Sequence, residues 1–340
     1  MNKDVFNRFK SKILNMNSNE LFCLYIDYPF CKSKCEYCIY NTIPYKEGIR
    51  YRNQYVSAAI KQLKEIRPLL DIRTPDAIYF GGGTPSLWSI EELSTIVDNI
   101  PNYERIRSKK SETHPSDLTD ERIKFYSDCM KLDVASIGVQ SFDRSACIGQ
   151  KRIWVNEEQL KHIVDEFHKY HIFVNIDLVA LFNGDEDKDW NIFDKDVDIA
   201  CNYVRPDIIT SIPNYKTKLN YLEQLPRYRS ILKKYVGEEY FPLFPKMLSL
   251  EWDDIKKYGE NDHWIATKKF WEYQDRSVRY SSSHPDPEPP LNQVTISIGG
   301  AGNHMVYSYI GSDKYVVYSA YDFEKDEFIY KYNHTVKNIQ

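Results

Sequence analysis

The chain has 340 residues, 42% hydrophobic and 14% aromatic, with 27 Tyr, seven Cys and a formal net charge of −4. That composition excludes disordered and fibrous classes, and no basic stripe favours nucleic acid or an anionic membrane surface. No run approaches the roughly 18 apolar residues of a membrane span, so a cytoplasmic globular protein with a small-molecule partner is expected.

From the amino end, the segment 1–21 is expected to hold a helix, followed by a core at 22–217 and an extension at 218–340. Short apolar runs alternate with helical periodicity through the core, the pattern of βα units around a parallel sheet. Strands are expected at Phe22–Tyr28, Ala77–Phe80, Lys109–Glu112, Val134–Val139, Phe173–Val179 and Asp207–Ser211, with helices near 51–70, 90–99, 119–131, 156–170 and 189–203. In the fourth helix, Leu160, Ile163, Val164 and Phe167 keep the spacing of one buried face, and Asn156 is its expected N-cap. Six repeats suggest an α/β fold, a partial (β/α)6 barrel with a smaller C-terminal extension. Functional residues of such barrels gather at the carboxyl ends of the strands. Beyond residue 216 the pattern weakens into Tyr/Trp-rich, charged sequence, a Ser/Pro loop at 281–293 and a strand-like VTISIGGAGNH; this extension is expected to close the barrel mouth.

Directly after the first strand, LYIDYPFCKSKCEYCIYNT carries Cys31, Cys35 and Cys38 in a C-x3-C-x2-C spacing. One loop can wrap three corners of a [4Fe–4S] cubane with these thiolates and leave the fourth iron open to chelate S-adenosylmethionine (SAM). A zinc site is disfavoured because no fourth Cys or His follows at zinc-ribbon spacing. The remaining cysteines, Cys23, Cys129, Cys147 and Cys201, are expected to be buried reduced thiols.

With these motifs in order, the sequence resembles the coproporphyrinogen-oxidase-like branch of the radical SAM superfamily. The likeness runs through Tyr25, DAIYF leading into GGGTPS at 81–86, SETHPSDLT at 111–119, SIGVQSF at 136–142, KRI at 151–153, NIDLV at 175–179 and PNYKT at 213–217, and returns at 294–309. Glycines after a strand let backbone approach a ligand closely, and a strand-end Glu can accept hydrogen bonds from an amino group or ribose. By the resemblance, a cluster-bound SAM meets Tyr25, Gly82 and Glu112. A second SAM meets Tyr37, Gly83, Thr84, Gln140, Arg152 and Asp177.

The family's oxidase has a further Cys where this chain has Tyr40, and its Gly-Ala-His stretch reads Gly302, Asn303, His304 here. Two SAM molecules without those accessories point to methylation or cyclopropanation of an sp2 carbon, with an external one-electron donor such as flavodoxin or ferredoxin. By resemblance, a 5′-deoxyadenosyl radical takes hydrogen from the second SAM's methyl group. A base is then needed near the substrate, and Tyr28, Tyr215 and His304 are the candidates. The alternatives are oxidative decarboxylation of a porphyrinogen, and haem binding similar to the family's haem chaperones, whose cysteine context CEYCIYNT approaches.

Overall fold

The computed structural model describes residues 1–214 except 2, 19 and 39, residues 227, 230, 231, 234, 235, 241, 242, 264 and 265, and residues 293–333 except 314. Helix α1 (Lys3–Leu14) precedes the first strand and buries Val5, Phe9 and Ile13. The six expected strands are present as β1 (Leu21–Tyr28), β2 (Ala77–Gly82), β3 (Ser108–Thr113), β4 (Val134–Gln140), β5 (Phe173–Ala180) and β6 (Ile208–Pro213). Helices α2 (Arg52–Ile72), α3 (Ile90–Asp98) and α4 (Asp120–Asp128) connect the first four strands, and a short α5 (Arg144–Gly149), absent from the periodicity, follows β4. Then come α6 (Glu157–Lys169) and α7 (Glu186–Ile199), the latter running into a π-helical turn, Ala200–Val204, that ends on left-handed Arg205. Asn156 caps α6 through a 2.8 Å bond to the Gln159 amide, as the sequence predicts.

Strands β1 to β6 pair in parallel and in chain order. The chain then adds β7 (Gln293–Ile298) on the other side of β1, also parallel to it, so VTISI is a seventh parallel strand. Three antiparallel strands extend that edge: β8 (Val306–Ile310), β9 (Tyr315–Asp322) and β10 (Glu327–Asn333). Beyond β6 the sheet continues through the two-residue strands Trp264–Ile265 and Phe241–Pro242.

Because side chains alternate along a strand, each β strand has one helix-facing and one lumen-facing set. Phe22, Leu24, Ile26 and Tyr28 of β1 join the core beneath the helices with Phe80, Ile137, Ile176 and Leu178. The opposite face is polar. Register places Glu112, Ser136 and Asn175 side by side on β3, β4 and β5, with Gly138, Asp177 and Thr210 forming the next layer across β4, β5 and β6. A polar face on a parallel sheet whose other face is packed is the mark of a ligand-holding lumen.

Candidate functional site

The cysteine loop leaves the carboxyl end of β1, and a small parallel ladder between Phe30–Cys31 and Ile43–Pro44 pins its two ends together. Within it the Cys38 amide bonds the Cys35 carbonyl at 3.2 Å, and the three thiols lie close enough to influence one another electrostatically. Burial pushes the Cys31 thiol up to about 11, opposed by hydrogen bonds from Thr84 and Thr42. A nearby cation is what would hold such thiols as thiolates, and iron supplies one. The donor set therefore fits a three-cysteine cluster.

The glycine loop at the end of β2 packs against this turn. Gly82 has φ +110°, a conformation that strains any L side chain, and a Cβ on Gly83 would stand 2.7 Å from the Phe30 carbonyl oxygen. At Gly82 and Gly83, then, it is backbone that packs against the start of the cysteine loop. Thr84, the next residue, donates its hydroxyl to Cys31 Sγ at 3.3 Å.

Glu112 lies deep in the lumen with part of its surface open to it. Burial raises its carboxyl to about 7; Tyr79, whose hydroxyl donates to Oε1 at 2.8 Å, and the Gly82 amide pull it down, while Asp177 and Asp27 push it up. Asp177 is similarly raised by burial, to about 6, although Asn175 Nδ2 (2.8 Å) and Ser136 Oγ (3.3 Å) donate to it. Tyr25 stacks on Tyr79 with ring centroids 5.9 Å apart.

Arg152 reaches over the lumen from the turn after α5. Its Nη1 lies 3.9 Å from Cys35 Sγ and 3.3 Å from the Tyr37 hydroxyl, and Nη2 donates to the Gly138 carbonyl. Two buried polar atoms here, Arg152 Nε and Gln140 Oε1, have no hydrogen-bond partner among the described residues. Gln140 sits at φ +74° just past a bulge in β4 that skips Val139, a strained placement that it holds while still pairing with Leu178 of β5. Orphaned polar atoms beside a thiol triad fit a polar ligand that completes them. Tyr37 packs on Phe182, with centroids 5.2 Å apart.

The structure brings together Cys31, Thr84, Arg152, Cys35 and Tyr37 at one rim of the mouth, and Gly82, Glu112 and Tyr79 at the adjacent one. Tyr28 is elsewhere. It is fully buried on the helix side of β1 among Phe30, Tyr55 and Trp88, and its hydroxyl accepts from Arg52 Nε at 2.7 Å. Burial drives its phenol far above the ordinary range. Pleat parity explains this, since residues 25 and 28 lie on opposite faces of one strand. Tyr215 lies outside the described residues. Cys129 is exposed at the end of α4, contrary to the expectation of a buried thiol, whereas Cys23 and Cys147 are buried.

His304 is buried, and its Nε2 lies 2.8 Å from Asp27 Oδ1. Sequence reasoning passed over Asp27 and Tyr79, both of which share the lumen parity of Tyr25; a carboxylate inside an apolar strand was the available signal. It also passed over Asp196 of α7, which accepts from Ser141 Oγ (2.7 Å) and the Phe142 amide (2.8 Å) and so fixes the backbone following Gln140.

A thiol triad after the first strand of a parallel half-barrel, with a glycine loop and a strand-end glutamate facing it, defines an enzyme class, and the model of the radical SAM superfamily matches residues 25–196. The chain belongs to that superfamily and uses a [4Fe–4S] cluster with SAM. It is 28% identical over 228 residues to the haem chaperone HemW of Buchnera aphidicola (subsp. Schizaphis graminum), covering 64% of this chain and 58% of that one. It is 29% identical over 151 residues to the oxygen-independent coproporphyrinogen III oxidase of Helicobacter pylori (strain J99), covering 42% and 33%. The solved Escherichia coli coproporphyrinogen III oxidase superposes with TM-score 0.66 at 16% identity, over 96% of this chain and 71% of that one. Within that superfamily the chain is therefore similar to coproporphyrinogen oxidases and haem chaperones. The chain spans about half the length of the curated relatives it matches. No helix among the described residues is long and apolar enough to cross a membrane.

Proposed function

We propose that Cys31, Cys35 and Cys38 hold the cluster, that Glu112 and the Gly82 backbone bind SAM's methionyl group, and that the chain handles a tetrapyrrole as haem-chaperone-type relatives do. The observation that carries the site is the rim itself: three mutually close thiols, with the Thr84 hydroxyl on Cys31 and the Arg152 guanidinium beside Cys35. When bound, the cluster and SAM supply a one-electron cleavage that yields a hydrogen-abstracting radical. The chain's own residues do the rest. Glu112 accepts from an amino group, and glycine backbone at 82–83 admits close approach.

The orphaned Gln140 Oε1 and Arg152 Nε favour a second polar ligand beside the Arg152–Tyr37 side of the cluster rim, where a second SAM would sit with Tyr37, Gly83, Thr84 and Asp177. The relatives favour tetrapyrrole chemistry over the methylation or cyclopropanation expected from sequence. Oxidative decarboxylation of a porphyrinogen is the second reading, favoured by the Helicobacter relative.

One preparation separates them. Protein reconstituted anaerobically should be brown with about four iron per chain. Haem titration giving a Soret band at one haem per chain supports the chaperone reading. Carbon dioxide released from coproporphyrinogen with SAM and reductant supports decarboxylation. Neither result, together with S-adenosylhomocysteine as product, overturns both.

A further inference from the structure

His304 and Asp27 are far apart in sequence and meet only in the fold. Asp27 is fully buried at the lumen face of β1, and every oxygen is engaged: Oδ1 by His304 Nε2 at 2.8 Å, Oδ2 by the Gly300 amide at 3.0 Å, the main-chain carbonyl by the Tyr55 hydroxyl at 2.8 Å. The turn that carries His304 is fixed on both sides. The Gly299 amide donates to Gln62 Oε1 of α2 at 2.9 Å, and the Ala301 amide bonds the His304 carbonyl at 2.7 Å. Gly299, at φ +111°, lies so close to Tyr55 and Asp27 that no side chain fits there.

The pair abuts the proposed SAM loop. A Cβ on Gly82 would collide with the Asp27 carboxylate, and the Gly82 amide is in turn a donor to Glu112. The line from the C-terminal turn to the lumen glutamate is therefore continuous: His304, Asp27, Gly82, Glu112. Resting on the reading that Glu112 meets SAM, we infer that His304 and Asp27 form a buried ion pair that positions the Gly82–Glu112 unit and covers the Asp27 charge beside it.

His304 faces Asp27 of β1 and feels the charges of Glu112 of β3 and Lys34 of the cysteine loop, while the Tyr55 phenol of α2 faces Asp27. Burial alone would make the imidazole harder to protonate, but Asp27 outweighs it and holds His304 above its ordinary value. Without that cation, Asp27 would stand uncovered next to Glu112, and two carboxylates at close range resist ionising together. Only ionised Glu112 attracts an ammonium group.

The test is SAM affinity of the cluster-loaded protein by equilibrium dialysis across pH, with iron content measured alongside. His304→Gln, which keeps a donor to Asp27 but no charge, should retain iron while the pH midpoint of SAM binding moves upward by about half a unit or more, roughly a twofold loss of affinity at the wild-type midpoint and threefold well below it. Adding Asp27→Asn to the same chain should return the midpoint toward wild type. Tyr55→Phe, which removes a hydroxyl but no charge, should leave it in place. A double variant shifted as far as the single, or a single variant with the wild-type midpoint, overturns the inference. Should His304→Gln fail to fold, His304→Lys decides: a midpoint at or below wild type supports the pair, and an upward shift sinks it. Wild-type protein that binds no SAM at any pH would instead overturn the proposed function.

Discussion

The hydroxyl of Thr84 stands 3.3 Å from the sulfur of Cys31, a contact between the glycine loop after β2 and the cysteine loop after β1. A hydrogen bond to a cluster-ligating thiolate stabilises the more negative, reduced form. Thr84→Val should therefore keep its iron but lower the cluster's reduction potential by roughly tens of millivolts. Anaerobic potentiometry followed by electron paramagnetic resonance would measure it, and an unchanged potential would show that the contact carries no electronic weight.

Glu112 gives a pH dependence with a definite sign. Its carboxyl is raised from 4.5 to about 7 in the fold, mainly by burial, so the folded state disfavours the carboxylate. The resulting cost is absent below about pH 4.5, grows as pH rises through 7 and is complete above it, about 3 kcal/mol at most. Glu112→Gln should accordingly raise the melting temperature at pH 8 more than at pH 5, while weakening SAM binding about ten- to a hundredfold. In the unmodified protein, SAM affinity should fall as pH drops below 7.

Tyr28 separates packing from chemistry. Its hydroxyl accepts from Arg52, which also pairs with Glu92 of α3, and its ring lies 4.7 Å from that of Trp88. Tyr28→Phe should cost about 1–2 kcal/mol of stability, read by denaturant unfolding, and leave SAM cleavage per iron unchanged. Loss of cleavage at full iron occupancy would restore Tyr28 to the catalytic set.

Arg152 tests the second ligand. If its guanidinium and Gln140 serve a second SAM, wild-type protein should bind two SAM per chain and Arg152→Met one, with iron retained in both. The substitution also removes a cation 3.9 Å from Cys35, so the cluster's potential should fall alongside. One SAM per wild-type chain would end the two-SAM reading.

The cysteine triad, the glycine loop and the six strand positions were legible in the chain because each is a local pattern. Three thiols within eight residues need no folding to be neighbours, and alternation along a strand is set by backbone geometry alone. The same periodicity carried the information that Tyr28 and Tyr25 face opposite ways. Pairings between distant segments had no local trace. His304 meets Asp27 across 277 positions because β7 inserts beside β1, a choice governed by hydrogen-bonding of the sheet edge and not by any nearby residue. The orientation of Arg152 toward Cys35, and the raised carboxyls of Glu112 and Asp177, likewise arise from burial and neighbours that exist only once the strands are assembled. Sequence determined which chemistry the chain can hold; tertiary packing decided which charges share the lumen, because desolvation and Coulomb terms depend on distance through space and not along the chain.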